Sequence, residues 1–419
     1  MSVEQSNITK EWELYMYLLR CAIRGENPNT EAFAKYKEIE SEKICEKARR
    51  SGQLFLLEEN IREFATYRKE ENLPEKSDFR KIVCEYEKYK CIRNVLTLAK
   101  KHEIPFVIFK GCVLADLYPQ YIQRNSCDTD IFVYPEFRQQ AIDMLVNAGY
   151  VINEEHSKNE VCVLKYNKFP HTIELHSCLW EDYEGKRLDI LESFDLTAKD
   201  KLIELETCGF KVTTLGYEEH LIYQLFHIIK HFSLEGVGMK YLADITLYVD
   251  AYGKYIDYEH MWKRLEQLDY AKFAHYLFAI CIEFLGMDDT ILAERQMAMG
   301  DEFYEFMLDL FNGGVMYEDK SDSWQILGMM TPYFTGEKKG AKGKIGRKLA
   351  VMFPRPRDLQ DHYAYARKYP ILLPIAWVHK AGQYLIKYSK RSDNWYSAGE
   401  KLNVAEHRID LMDKLGLLG

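Results

Sequence analysis

The chain has 419 residues, and at about 150 residues per domain that length predicts two or three structural units. With 47% hydrophobic and 29% charged residues it can build a full core, which excludes a wholly disordered protein. Its 56 Lys and Arg against 65 Asp and Glu give a net charge of −9, which excludes a uniformly basic nucleic-acid coat.

The opening MSVEQSNITKEWELYMYLLRC is broken by charges and has no secretory pattern, so a cytoplasmic protein is expected. The longest apolar runs, YPILLPIAWV and YLFAICI, fall short of the roughly 18 to 20 residues that span a bilayer, and no transmembrane segment is expected. Ten cysteines without a CxxC pair predict reduced thiols.

In chain order, Ile8, Trp12, Tyr15, Leu19 and Ala22 recur at helical spacing until Gly25, Asn27 and Pro28 end the helix. Helical patterns follow over 30–50 and 53–70, and Ser77 is placed to cap a longer one through Ile82, Tyr86, Tyr89, Ile92 and Leu96. The period changes at Pro105. PFVIFK, DIFVY, YVIN, VCVLKY, HTIELH and FKVTTL predict strands, and PEFRQQAIDMLVNAG predicts a helix with Pro135 in its first turn. Two helix-rich stretches, Glu218 to about 312 and about 345 to 417, complete the chain, with a Gly- and Lys-rich loop between them. The expected division is a helical region 1–103, a mixed α/β core 104–216, a helical domain 217–335 and a basic helical region 336–419. The fold class is α+β: a small mixed-sheet core flanked by helical regions.

Asp128, Thr129 and Asp130 open a predicted strand, and alternation sends both carboxylates to one face. Such a pair suits Mg²⁺, which takes one or two carboxylates together with substrate phosphates. Upstream, Lys110-Gly111 closes an apolar strand ahead of the short helical stretch CVLADLY, and a glycine there lets phosphate approach the backbone. Downstream, Glu174 and His176 share one face of TIELH, 44 and 46 positions after Asp130. Glu174 either completes a carboxylate triad or pairs with a cation at the sheet surface.

In this order, FKGCVLADLYPQYIQRNSCDTDIFV and TIELH resemble the DNA polymerase beta type nucleotidyltransferase superfamily. The closer resemblance is to the bacterial family of uncharacterised nucleotidyltransferases, which shows a Lys-Gly turn, a helix ending in Leu-Tyr, an arginine, a DxD strand and a later Glu-Leu-His strand. HLIYQLFHIIKHF with MKYLADI, and FPRPRDLQDHYAYARKYPILLPIAW, are similar to further segments of that family. Departures are Cys112 after Gly111, where the superfamily has Gly or Ser, Cys127 before the first aspartate, Thr129 between the aspartates and Ser177 after ELH.

The resemblance implies a metal-dependent transfer of a nucleoside monophosphate from an NTP, such as ATP, to an acceptor hydroxyl. Asp128, Asp130 and Glu174 are the implied catalytic and Mg²⁺ (or Mn²⁺) ligands. Lys110, Gly111, Cys112 and Arg124 are the implied phosphate contacts, and His176 contacts nucleotide or acceptor or is structural. The acceptor class, whether RNA, protein or small molecule, is open. The alternatives are a DxD sugar-nucleotide glycosyltransferase and a catalytically inactive nucleotide-binding module.

His220, His227 and His231 fall on one helix face, but Ile228 stands where a zinc-protease helix needs Glu, leaving a polar face toward the cleft or packed histidines as the other readings. Lys240 and Asp244 have ion-pair spacing. Residues 337–391 carry 14 Lys or Arg and 3 Asp or Glu, so this segment is either a polyanion contact, to RNA or an anionic membrane surface, or a solvated helix covering an acidic neighbour.

Overall fold

The computed structural model describes residues 3–71, 78–126, 128–154, 157, 160–180, 185–234, 236–293, 295, 297, 299–314, 330, 363–379 and 398–418. The chain forms two compact units, one of residues 1–228 and 238–299, the other of 229–237 and 300–419.

The first unit opens with α1 (Val3–Arg24), α2 (Ser41–Arg50), α3 (Leu54–Tyr67) and α4 (Phe79–Lys101). The helical pattern over 30–50 divides into a 3-10 helix, Thr30–Tyr36, and α2. The division has a long-range cause: Glu70 accepts from the Ser41 backbone N–H at 3.1 Å and also takes the Ser41 hydroxyl, so it caps α2 from 29 residues away. Ser77 lies outside the described residues. The side chain that caps α4 is Asp78, accepting from Arg80 N at 2.9 Å.

The core follows as β1 (Phe106–Ile108), α5 (Gly111–Ala115), β2 (Asp128–Val133), α6 (Arg138–Asn147), β3 (Tyr150–Ile152), β4 (Val161–Tyr166), β5 (Thr172–His176), α7 (Gly185–Ser193), β6 (Ile203–Thr207) and β7 (Phe210–Thr214). β6 and α7 go beyond the elements expected from the sequence. Five strands form a mixed sheet in the order β1-β2-β5-β4-β3, in which β2 and β5 run parallel and the other pairs antiparallel. β6 and β7 pair as a separate hairpin. This is the expected α+β class.

One face of the sheet carries Ile131, Val133, Cys162, Leu164, Ile173 and Leu175 into a core with Tyr89, Ile92 and Val95 of α4 and Ala141, Ile142 and Leu145 of α6. Strand alternation therefore leaves Asp128, Asp130 and Glu174 on the opposite face. Under the sheet Thr129 Oγ1 and Tyr150 OH lie 3.0 and 2.8 Å from the two ring nitrogens of buried His171.

The unit ends with α8 (Tyr217–Leu234, whose last residues enter the second unit), α9 (Lys240–Tyr252), α10 (Tyr258–Gln267) and α11 (Ala271–Leu285). α1 returns to these helices: Trp12 meets Phe284 edge to face, and Arg24 pairs with Asp250 at 2.7 Å and donates to the Gly286 carbonyl.

The second unit contains α12 (Asp301–Asn312), α13 (Ala364–Lys368) and α14 (Ala398–Lys414). α14 is fixed to α12 by Arg408, buried against Asp309, and by Lys414 to Glu305 at 2.8 Å. Of the basic segment 337–391, only 363–379 is described, and Cys127 also lies outside the described residues. Among the described residues no helix is long and apolar enough to cross a membrane.

Burial pushes the His171 pKa down to about 4 from 6.5. The unfolded chain takes up that proton near 6.5 and the folded one does not, so His171 contributes stability above about pH 6.5 that is lost as pH falls toward 4. In denaturant titrations at pH 7 and pH 5, wild-type protein loses stability on acidification, and His171→Gln shows a smaller loss.

Candidate active site

β2 begins at Asp128, so Asp128 and Asp130 project from the same side of the strand. In the parallel pairing Asp130 stands opposite Glu174, and Phe132 opposite His176. The approach to β2 is held from α4 by buried Lys88, which donates to the carbonyl and hydroxyl of Ser126 at 3.2 and 3.0 Å.

Asp130 Oδ1 lies 3.0 Å from Lys110 Nζ and 3.4 Å from His176 Nε2. His176 Nε2 is in turn 3.7 Å from Glu174 Oε2. The Asp130 side chain is 7% exposed, whereas Glu174 is 34% exposed and forms the open side of the group. Burial raises the Glu174 pKa, and the nearby charges of Asp130 and Asp128 raise it further. At Asp130 burial also acts upward, but the Lys110 ammonium and His176 outweigh it and hold this carboxyl well below the usual carboxylate range.

Lys110 and Gly111 form the turn between β1 and α5. Lys110 has φ 56° and ψ −127°, a conformation that ordinarily belongs to glycine, and Gly111 has φ 35°. A β-carbon on Gly111 would meet nothing within 4 Å, so there is open space beside this turn. Cys112 is fully buried in the core, and its thiol pKa is pushed up to about 12 by burial. The thiol at position 112 is therefore not available to a ligand.

Arg124 is placed differently from the phosphate contact expected of it. It is buried, and its Nε and Nη2 bind the two oxygens of Asp244 on α9 at 2.7 and 2.8 Å. Tyr118 donates to the same carboxylate at 2.8 Å, and Arg124 Nη1 reaches the Gly111 carbonyl at 3.4 Å. The guanidinium thus supports the backbone of the turn. Asp244, which sequence spacing pairs with Lys240, has both oxygens on Arg124, 120 residues away.

Among the described residues, Asp130, Glu174 and His176 are the group whose potential ligand atoms lie within 4.8 Å of one another. Asp128, expected as a ligand, stands outside that tight group, though its charge acts on Glu174. Carboxylate oxygens with an imidazole fit a divalent cation. The three histidines of α8 do not form such a group among the described residues. His220 is fully buried and accepts the Lys110 N–H at Nε2, 3.0 Å away, and the ring of His227 stacks on Tyr223. No local sequence pattern marks the contact of His220 with the turn or of Asp244 with Arg124, because each spans more than 100 residues.

Residues 84–286 match the sequence model of a family described as uncharacterised nucleotidyltransferase. This part of the chain, just under half of it, is similar to that family. The nucleotidyltransferase match begins within α4 and ends at Gly286, the C-cap of α11, so it takes in the sheet, the Lys110 turn and the helices that hold it. Two solved structures of ANT(2'')-Ia are similar to the chain at 13% identity. One, a crystal structure in complex with adenylyl-2''-tobramycin, aligns over 42% of this chain and 94% of that one with a TM-score of 0.32. The other, a solution structure of this antibiotic-resistance factor, aligns over 46% and 99% with a TM-score of 0.33. No curated protein matches the sequence.

Removing Arg124 leaves Asp244 buried without its cationic partner. Arg124→Met is expected to cost about 3–5 kcal/mol in urea unfolding, and Arg124→Met/Asp244→Leu less than the sum of the two single changes.

Proposed function

We propose that the protein is a metal-dependent nucleotidyltransferase that moves a nucleoside monophosphate from an NTP to an acceptor hydroxyl, with release of pyrophosphate. The observation that carries this reading is the cluster of Asp130, Glu174 and His176 beside the Lys110 ammonium, with the charge of Asp128 acting on Glu174, next to a turn with open space at Gly111. Three carboxylates and one ammonium leave two negative charges in excess, and that excess adds to burial in raising the Glu174 pKa. A Mg²⁺ or Mn²⁺ ion held by these residues would supply the missing charge and Lewis acidity toward the phosphates.

In this reading Asp128, Asp130, Glu174 and His176 are the residues that would hold the cation. Lys110 exchanges Asp130 for a phosphate oxygen, a short move for a flexible side chain that carries a point charge. Backbone at Gly111 and Cys112 lines the phosphates. Glu174, more open than Asp130 and His176 and with a raised pKa, takes the proton of the acceptor hydroxyl at its carboxylate. The acceptor oxygen bonds to the α-phosphorus, the bond from that phosphorus to the bridging oxygen breaks, and pyrophosphate departs. Arg124 serves the reaction indirectly, by holding the Gly111 carbonyl.

The test is incubation of the full chain with each α-labelled NTP, Mg²⁺ or Mn²⁺, and acceptor pools of RNA, protein and small metabolites. Label transfer is expected with at least one NTP. It should fall by roughly a thousandfold in Asp128→Asn/Asp130→Asn, equivalent to the several kcal/mol that metal-borne charge stabilisation supplies. Absence of transfer with every NTP, or transfer unchanged in the double variant, overturns the reading.

A further inference from the structure

We propose that His220 is a positioning residue for nucleotide binding: from α8 it fixes the backbone of Lys110 in the conformation that presents the Lys110-Gly111 turn to a triphosphate. The inference rests on the nucleotidyltransferase reading above.

Lys110 adopts φ 56° and ψ −127°, the geometry of a position that glycine usually fills in a tight turn. A side chain persists there only where its surroundings over-determine the backbone. Three contacts do so. The Lys110 N–H donates to His220 Nε2 at 3.0 Å, the Gly111 carbonyl accepts from Arg124 Nη1 at 3.4 Å, and Lys110 Nζ meets Asp130 Oδ1 at 3.0 Å.

Of these, the ammonium contact is the one nucleotide binding must loosen, so the turn keeps its shape during binding through His220 and Arg124. His220 is the direct anchor. Its ring is fully buried on α8, and acceptance at Nε2 assigns the proton to Nδ1, which makes it a neutral imidazole with one defined tautomer. One turn further along α8, the Tyr223 ring lies 5.5 Å from Lys110 Nζ, so α8 meets both the backbone and the charged end of this lysine. Burial also keeps the ring neutral, with a pKa held down to about 3. A protonated ring could not accept the Lys110 N–H.

The experiment is calorimetric titration of the full chain with Mg²⁺ and each of the four NTPs, comparing wild type, His220→Leu, His220→Gln and a control, Ile61→Ala, in the buried face of α3. His220→Leu should weaken the wild-type nucleotide affinity by about tenfold, the scale of one lost buried hydrogen bond. His220→Gln, whose amide oxygen can accept in place of Nε2, should recover most of it. Ile61→Ala should melt at lower temperature yet bind as wild type does. If wild type binds none of the four nucleotides, the nucleotidyltransferase reading fails. If wild type binds and His220→Leu binds equally well, or His220→Gln gives no recovery, the positioning role is overturned. Should the leucine variant not fold, ¹⁵N-histidine-labelled wild type decides: with Mg²⁺ and nucleotide bound, His220 Nε2 must keep the resonance of a hydrogen-bonded, unprotonated imidazole nitrogen, and a resonance that shows the bond lost or the nitrogen protonated overturns the proposal.

Discussion

Asp130 and Glu174 lie side by side because β2 and β5 run parallel in a register that pairs these two positions. A shift of one residue in either strand would turn its acidic side chains into the apolar layer formed with α4 and α6. The buried alternation of Ile131 and Val133 with Ile173 and Leu175 fixes the register, so the energetics of the core decide where the carboxylates meet. Like charges held this close are unfavourable, and the two carboxyls respond in opposite directions. Asp130 is held ionised by Lys110 and His176, while the more open Glu174 has its pKa raised by burial and by its acidic neighbours. That difference separates a carboxylate suited to holding cations from one suited to accepting a proton.

The second dependence is on Lys110. A lysine in a glycine-like conformation must be held by its surroundings, and the holders are His220 on α8 and Arg124, itself bound by Asp244 on α9; both helices follow the sheet in sequence. The region matched as a nucleotidyltransferase runs on from the last strand of the core at Thr214 to Gly286. Its extent agrees with a site whose support is partly helical. The Arg124–Asp244 pair with Tyr118 is a buried, well-satisfied network of the kind that fixes one arrangement of a turn.

Much of the sheet was legible because its signals are local. DIFVY, VCVLKY and TIELH have strand composition, and alternation alone put Asp128 and Asp130 on one face of their strand and Glu174 and His176 on the face of theirs away from Ile173 and Leu175. Long-range contacts were not legible. Glu70 capping α2, His220 on the Lys110 N–H and Asp244 on Arg124 each join residues that no sequence window contains. Arg124 shows the consequence most plainly: an arginine near a predicted phosphate site reads as a phosphate ligand, and only the fold reveals the buried carboxylate that occupies it. The tight ligand group is another case, since spacing pointed to Asp128 while three-dimensional proximity brings in His176.

The central claim is that Lys110 and the carboxylates of β2 and β5 form one site for a metal-bound triphosphate. A crystal structure of the full chain with Mn²⁺ and a non-transferable NTP analogue tests it directly, because anomalous scattering locates the metal. The account predicts Mn²⁺ against the β2 carboxylates and Glu174, the triphosphate along the Lys110-Gly111 turn, and the Lys110 ammonium moved from Asp130 to a phosphate oxygen. A nucleotide bound elsewhere, or a Lys110–Asp130 pair left intact with nucleotide and metal in place, would contradict it.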